Sequence, residues 1–188
     1  MSRIPLISAE EELSPAQRRV VDQILGRRGG RIPGPYRLSL HCPELTEAWH
    51  PLGETLRLKS SFPLRLSELA ILIAARCWDC DYVFNAHAQH ALKGGVSQAA
   101  IDAMTRGEHP AFDKPDEAAL YDYGMELFER HAVSDATYDC ALRLFGVPGM
   151  VELTALMGYY GMVAMTLVAH GMPLPEGVQP PLTKKNRK

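Results

Sequence analysis

The segment ARCWDCDYVFNAHAQH, residues 75–90, concentrates side chains that can do chemistry. Cys77 and Cys80 form a Cys-x-x-Cys pair, a spacing typical of thiol redox centres. A zinc site would need two more ligands, and His87 and His90 lie far along the same predicted helix, where the geometry for shared coordination is poor. We therefore expect no metal site here, and thiol redox chemistry is one hypothesis for the segment.

Hydrophobic periodicity predicts one helix that begins near Leu66 and continues through the cysteine pair. In the middle of a helix the two thiols lack the N-terminal dipole that lowers a thiol pKa, unless the chain kinks near residues 79–81. On a continuous helix Cys80, His87 and His90 share one face, with Cys80 and His87 about 10 Å apart along the axis. These side chains either line one pocket or pack as core residues.

Glu68 lies in LSELAILIAAR, where almost every neighbour is apolar. Burial of a carboxylate without a partner costs free energy and raises its pKa, and perturbed pKa values are common at functional sites. The structural alternative is a glutamate on a narrow polar stripe of the helix, paired with Arg65 or Arg76. Both interpretations require a partner for Glu68, and they differ in whether that partner is catalytic.

The chain of 188 residues is long enough for one domain with a substantial core, and 46% of its residues are hydrophobic and 22% charged, as in ordinary globular proteins. The net charge of −2 does not favour nucleic acid or an anionic membrane as a partner. The N-terminus shows no signal peptide, and no apolar run is long enough to span a bilayer. We therefore expect a cytoplasmic protein whose four cysteines are reduced.

Proline, glycine and serine residues mark helix ends throughout the chain, and strand signals are nearly absent. Helix starts are indicated at Ser14-Pro15, Pro43, Ser134 and Pro148, whereas residues 31–41 are predicted to be a proline-bearing loop. The pattern predicts an all-α fold of about seven or eight helices.

We expect residues 1–188 to form a single domain with an N-terminal helical arm over 1–33 and a flexible tail over 176–188. The C-terminal run VELTALMGYYGMVAMTLVA is apolar nearly all round, so it lies either at the centre of the fold or between subunits. The second placement would make the protein a homo-oligomer.

Three stretches resemble the carboxymuconolactone decarboxylase family, whose superfamily includes the alkylhydroperoxidase D-like (AhpD-like) proteins. They are GPYRLSLHCPEL (34–45), the block SFPLRLSELAILIAARCWDCDYVFNAHAQHALKGGVSQAAIDAM (61–104) and YYGMVAMTLVAHGMPLPEG (159–177). The central block is the most specific of the three. The resemblance implies an AhpD-like orthogonal helical bundle that assembles as a homo-oligomer, whether dimer, trimer or hexamer.

The redox branch of that superfamily carries Glu-x11-Cys-x2-Cys-x3-His. Counted from Glu68, the first cysteine is Cys80 and the histidine is His87, but Val83 stands where the second cysteine belongs. Cys77 lies three residues before the matched cysteine rather than within the motif. Thiol reduction of a peroxide needs a resolving thiol, so the redox cycle of the branch lacks one participant unless Cys77 supplies it.

The decarboxylase branch does not require the thiol pair. The resemblance to it implies cofactor-free removal of CO2 from a small carboxylated lactone or a related metabolite of aromatic ring cleavage. In that role His87 is the candidate general acid or hydrogen-bond donor to the dienolate, and Glu68 orients it or relays its proton with a raised pKa. Cys80 is the third catalytic candidate, as a pocket-lining neighbour or at most a proton donor. Candidates for the substrate-binding wall are Trp78, His90 and His170.

Two further functions are open. One is a thiol-dependent peroxidase or disulfide reductase, the peroxiredoxin-type activity of the AhpD-like branch. The other is a helical oligomer that binds a small metabolite without converting it. A substrate carboxylate would need a cation to bind it. Four arginines are available, and the sequence does not choose among them: Arg31, Arg37, Arg57 and Arg76.

Overall fold

The computed structural model describes residues 2–9, 11–28, 30 and 32–184, which form eight α-helices and no β-strand. This confirms the predicted all-α architecture. In chain order the helices are α1 (Pro15–Arg28), α2 (Gly34–Ser39), α3 (Pro43–Leu58), α4 (Leu64–Cys77), α5 (Asp81–Gly94), α6 (Gln98–Arg106), α7 (Pro115–Arg130) and α8 (Asp135–Ala169).

The predicted helix starts are confirmed, and several are capped by side chains. At the start of α1, Ser14 and Gln17 exchange reciprocal hydrogen bonds between side chain and backbone, which is a capping box. Ser97 and Ser134 accept backbone N–H bonds at the starts of α6 and α8. The 31–41 segment differs from the prediction, because it contains the short helix α2 with Pro35 in its first turn.

α8 is broken at Gly146, whose dihedral angles φ 66° and ψ 173° are non-helical. The break divides it into two arms, 135–145 and 147–169, as the sequence predicts from Pro148. In the described part of the chain α8 is the one helix long and apolar enough to cross a membrane, and in this fold it packs against α4 and α7.

α4 is the central helix, and it packs against α5, α7 and α8. Every residue from Leu66 to Arg76 is buried, which explains the nearly continuous apolar sequence. A second and smaller hydrophobic cluster joins α1 to α2 and to Ile7 of the N-terminal segment. Glu68 therefore lies in a helix that has no solvent-facing side at its position.

The turn between α4 and α5 changes the predicted geometry. α4 ends at Cys77, Asp79 adopts a left-handed conformation with φ 50°, and α5 begins at Asp81. Arg76 stabilises the turn by donating to Asp79 over 2.5 Å. The prediction of one continuous helix through the cysteine pair is thus wrong. The apolar pattern of α4 continues into α5 almost without interruption, and only Asp79 marks the turn between them.

α5 folds back along α4, so that a Cβ atom at Gly94 would lie 2.9 Å from the backbone nitrogen of Arg65. Glu68 and His87 are nineteen residues apart and touch. On one straight helix the same separation would be about 28 Å. The turn is therefore the local feature that brings the two side chains together.

The C-terminal tail returns to this turn. The backbone N–H of Leu182 donates to Asp81, and Lys184 donates to the Asp79 carbonyl over 2.8 Å and pairs with Asp81. The part of the expected flexible tail that reaches residue 184 is therefore tethered to the start of α5, and residues 185–188 lie outside the described residues.

Candidate active site

Glu68 accepts hydrogen bonds from two side chains on two other helices. Its Oε2 lies 2.6 Å from Nδ1 of His87 on α5, and its Oε1 lies 3.3 Å from Nη2 of Arg57 on α3. Glu68 itself is only 2% exposed on α4. The predicted meeting of Glu68 and His87 is present in the structure, and Arg57 joins them.

The two partners decide the ionisation of Glu68. Burial acts to raise the pKa of this carboxyl, but the hydrogen bond from His87 and the charge of Arg57 outweigh burial, so the pKa lies below its ordinary value. Glu68 is therefore a carboxylate at neutral pH. The sequence-based expectation of a raised pKa is wrong, because it counted burial but not the combined stabilisation of the carboxylate by His87 and Arg57.

His87 responds in the opposite direction. Burial lowers the pKa of its imidazole, and the hydrogen bond to Glu68 offsets this only in part. The ring is therefore mainly neutral at pH 7. A carboxylate has no proton to donate, so the ring proton lies on Nδ1, and Nε2 is the nitrogen left to interact with a bound molecule.

His87 and Arg57 line a cavity of about 200 Å³ between α2, α3, α5 and α8. This volume suits a small ring compound rather than an extended ligand. The wall combines these two ionisable side chains with four tyrosines and a set of small and apolar residues. The complete lining is Pro33, Gly34, Pro35, Tyr36, Gly53, Arg57, Tyr82, Val83, Ala86, His87, Tyr159, Tyr160 and Val163.

Two glycines let tyrosine hydroxyls approach the backbone at this wall. A Cβ atom at Gly34 would lie 2.2 Å from the hydroxyl oxygen of Tyr82, and one at Gly53 would lie 2.1 Å from that of Tyr159. Tyr160 packs edge-on against the ring of His87, with ring centroids 5.1 Å apart. The tyrosines are therefore fixed parts of the cavity rather than surface side chains that happen to reach it.

Cys80 does not line this cavity. It is the N-cap residue of α5 and is 2% exposed, and burial raises the pKa of its thiol even though the N–H groups of Val83 and Tyr82 favour the thiolate. Cys77 contacts Met125 on α7, with 3.8 Å between the sulfurs. All four cysteines are free thiols. The kink that would favour a redox pair exists, but burial opposes the thiolate.

The three residues predicted for the substrate-binding wall also lie outside the cavity. Trp78 packs towards Gly161 of α8, and His90 is an exposed residue whose ring centroid is 6.1 Å from that of His87. His170 follows the end of α8, where its carbonyl accepts from Arg3. It lies seven residues beyond Val163, or about 10 Å along the helix.

Among the candidate arginines the structure brings Arg57 to the cavity. Arg37 is held by the backbone carbonyls of Ile7 and Leu6, and Arg76 pairs with Asp79. Arg31 lies outside the described residues.

Four tyrosines of the cavity were not predicted as site residues, although all of them lie within the stretches that resemble the family: Tyr36, Tyr82, Tyr159 and Tyr160. Within the described ranges no cluster of three His, Cys, Asp or Glu side chains is arranged to hold a metal ion.

Comparison with known proteins agrees with the family resemblance read from the sequence. Residues 43–123, which contain Arg57, Glu68 and His87, match the model of the carboxymuconolactone decarboxylase family. No curated protein matches the chain.

Solved structures match over nearly the whole chain. An uncharacterized peroxidase-related protein from Ralstonia eutropha with an alkylhydroperoxidase AhpD core is 17% identical, with a TM-score of 0.74 and coverage of 93% of each chain. An uncharacterized peroxidase-related protein from a Silicibacter species is 13% identical, with a TM-score of 0.74 and coverage of 93% of this chain and 92% of that one. A cysteine-to-alanine variant of the debrominase Bmp8, in complex with 2,3,4-tribromopyrrole, is 17% identical, with a TM-score of 0.67 and coverage of 94% and 95%. At these identities the likeness establishes the fold alone.

The pairing of Glu68 predicts the effect of neutralising it. In Glu68→Gln we expect the free energy of unfolding to fall by about 1–3 kcal/mol, because Arg57 loses its anion and His87 loses a charged acceptor. Urea denaturation at pH 7 measures the change. The control is Glu108→Gln, which breaks an exposed pair with Arg106 and should change stability little. Equal losses in the two variants would mean that the buried carboxylate does not organise the site.

Proposed function

We propose that this chain, whose residues 43–123 match the model of the carboxymuconolactone decarboxylase family, is a cytoplasmic, cofactor-free enzyme that removes CO2 from a small carboxylated lactone. The observation that supports this most directly is the Glu68–His87 pair beside a cavity that Arg57 also lines. The pair offers an acid–base group, and Arg57 offers a cation for an anionic substrate.

The chemistry needs no group that the side chains do not supply. When CO2 leaves, its bonding electrons pass through the ring double bond to the lactone carbonyl and give a dienolate. The positive charge of Arg57 stabilises that developing negative charge, and His87 delivers a proton to the ring carbon. Glu68 holds His87 by its Nδ1, so that Nε2 faces the reaction.

Charge balance explains how a neutral histidine becomes the acid. Before a substrate binds, the charges of the Glu68 carboxylate and the Arg57 cation cancel, and His87 is mainly neutral. A carboxylated substrate adds negative charge beside Nε2, and a nearby anion raises the pKa of an imidazole. Substrate binding therefore favours the uptake of one proton by His87. His87 therefore becomes protonated, and able to act as a general acid, only in the substrate complex.

The thiol alternative has weaker support. The peroxidase-related relatives share the fold, but in this chain Val83 occupies the position of the second motif cysteine, and burial raises the pKa of the Cys80 thiol. A thiolate is the nucleophile that peroxide reduction requires.

Carboxymuconolactone is the first substrate to test. We expect the protein to release CO2 from it, and His87→Asn to lower kcat about 100-fold or more, because the general acid is lost. The matched control is Cys80→Ser, which should keep kcat within about tenfold of the parent value. A manometric or coupled CO2 assay measures both.

Two results would contradict this function. One is unchanged CO2 release in His87→Asn. The other is rapid formation of a Cys77–Cys80 disulfide on addition of peroxide, seen by mass spectrometry, together with peroxide turnover that Cys80→Ser abolishes. The second result would instead support the thiol peroxidase.

The proposed loading of His87 predicts a specific pH dependence. The pKa of His87 in the free protein lies below its ordinary value of 6.5, so kcat/KM should fall as pH rises through that lowered pKa. In the substrate complex the pKa is higher, so the falling limb of kcat should lie at higher pH than that of kcat/KM. Initial rates across the pH range measure both limbs. A kcat/KM that rises with pH through the same range would identify neutral His87 as a base instead.

We also propose that the enzyme is a homo-oligomer, in which the 147–169 arm of α8 contacts a second copy. Val147 and Val151 are 67% and 66% exposed, and Ala155, Gly158 and Met165 continue the exposed stripe at helical spacing. The arm carries a single charged residue, Glu152, which is bonded to Ser60 and Ser61. An exposed apolar stripe of this length is typical of a protein interface.

A charge placed in the stripe tests this assembly. Val151→Glu should shift the mass measured by light scattering at micromolar concentration towards that of one chain, because a carboxylate would be desolvated in the interface. The control Ala99→Glu, on the exposed side of α6, should leave the mass unchanged. A parent protein that is already monomeric at that concentration would contradict the proposal.

A further inference from the structure

A second pair of ionisable side chains is buried behind another wall of the same cavity. His50 and Glu54 occupy successive turns of α3, with Nε2 of His50 3.8 Å from Oε1 of Glu54. His50 is 2% exposed. Neither residue has a role in the decarboxylation described above, and burial of two ionisable groups at one place is costly unless they interact.

Tyr36 connects this pair to the cavity. Nδ1 of His50 lies 3.1 Å from the hydroxyl oxygen of Tyr36, which belongs to α2 and is part of the cavity lining. The rings of Tyr36 and His50 pack edge-on, with centroids 5.3 Å apart. The imidazole of His50 therefore lies between a hydroxyl at the cavity wall, to which it is hydrogen-bonded, and the Glu54 carboxylate, which is near enough for a charge interaction.

The direction of the hydrogen bonds makes Tyr36 a proton acceptor. The Glu54 carboxylate faces Nε2 of His50 and favours the tautomer with its proton there, so Nδ1 accepts the Tyr36 proton. Burial and the neighbouring Tyr36 raise the pKa of Tyr159, so Tyr159 keeps its proton beside the Tyr36 oxygen. Tyr36 can thus take a proton from a bound molecule while its own proton moves to His50.

We propose that Tyr36, backed by His50 and Glu54, is a second acid–base group of the cavity, and that it gives the site a further activity: moving a proton between two carbons of an unsaturated lactone acid. This inference rests on the proposed function for its substrate class. Tyr36 is the proposed catalytic residue, and His50 and Glu54 are positioning residues.

The proton shift balances within the site. The proton on the carbon next to the lactone carbonyl passes to the Tyr36 oxygen, and the Tyr36 proton passes to Nδ1 of His50. The electron pair of the broken C–H bond enters the conjugated system and gives a dienolate. Protonated His87 then delivers its proton to the far end of that system. After product release, His50 returns its proton through Tyr36 to water, and His87 takes up another.

Deuterium exchange tests this activity without any loss of CO2. The probe is a β,γ-unsaturated butenolide that carries an acetate side chain on the ring carbon beside the oxygen. In D2O we expect the protein to catalyse exchange of the ring protons next to the carbonyl. Proton NMR measures the loss of their signal. We expect Tyr36→Phe to lower the kcat of exchange about 100-fold, because it removes the acceptor oxygen. His50→Gln should also lower kcat, with KM within about threefold of the parent value.

The matched control is Tyr123→Phe. Tyr123 is also buried, and its hydroxyl lies 2.7 Å from the Thr154 hydroxyl, but it does not line the cavity. This variant should exchange the probe at the parent rate. Binding of the saturated lactone with the same acetate side chain, measured by calorimetry, should be equal in the parent protein and Tyr36→Phe within about threefold.

The outcomes separate this inference from the proposed function. If carboxymuconolactone releases no CO2 but the probe exchanges in a Tyr36-dependent way, the second group stands and the decarboxylase proposal fails. If CO2 is released but the parent protein exchanges no deuterium, the second group is overturned. Equal exchange in the parent protein and Tyr36→Phe would also overturn it. If Tyr36→Phe does not fold, His50→Gln decides: unchanged kcat overturns the inference and reduced kcat at unchanged KM supports it.

Discussion

The site depends on one buried carboxylate. Glu68 lies in a helix that is covered on all sides, so its charge has no water to stabilise it and must be satisfied by other side chains. It is satisfied by an imidazole on α5 and a guanidinium on α3. The same two contacts that solve the desolvation problem place a proton-transfer group and a cation at one cavity. The contacts that stabilise the buried carboxylate are therefore the same contacts that assemble the site.

The turn between α4 and α5 brings Glu68 and His87 into contact. The same turn is difficult to predict from the sequence. Apolar periodicity runs through residues 66–92 almost without interruption, because both helices present apolar faces to one core. The break is marked only by Asp79 in a left-handed conformation, which aspartate tolerates better than most residues. A pattern-based prediction therefore extends the first helix and misplaces Cys80, which is the N-cap residue of the second. The all-α class and most helix starts were predictable, since proline and serine caps act locally.

The residues of the candidate site also fall into those that the sequence predicts and those that it does not. Glu68 and His87 were predictable because a family spacing fixes both within one hairpin. Arg57 and Tyr36 were not, because they come from α3 and α2, and nothing in the sequence states which of several arginines or tyrosines the tertiary fold brings to a given cavity. The converse error was to predict residues for the substrate-binding wall that lie outside the cavity: Trp78, His90 and His170. They are near the motif or in an apolar segment, but a side chain's helix face and its distance along the helix decide where it points.

The ionisation states show most clearly why geometry was needed. From sequence, a glutamate among apolar residues should have a raised pKa, and the thiol pair should lie in mid-helix without the dipole that lowers a thiol pKa. The structure reverses the first expectation, because His87 and Arg57 stabilise the carboxylate. It places Cys80 at a helix start, but nothing cationic compensates the burial of this thiol enough to lower its pKa. Burial is common to the two groups, so burial alone cannot assign a catalytic role. What distinguishes them is whether another element supplies a counter-charge, and this favours acid–base chemistry over thiol chemistry in this chain.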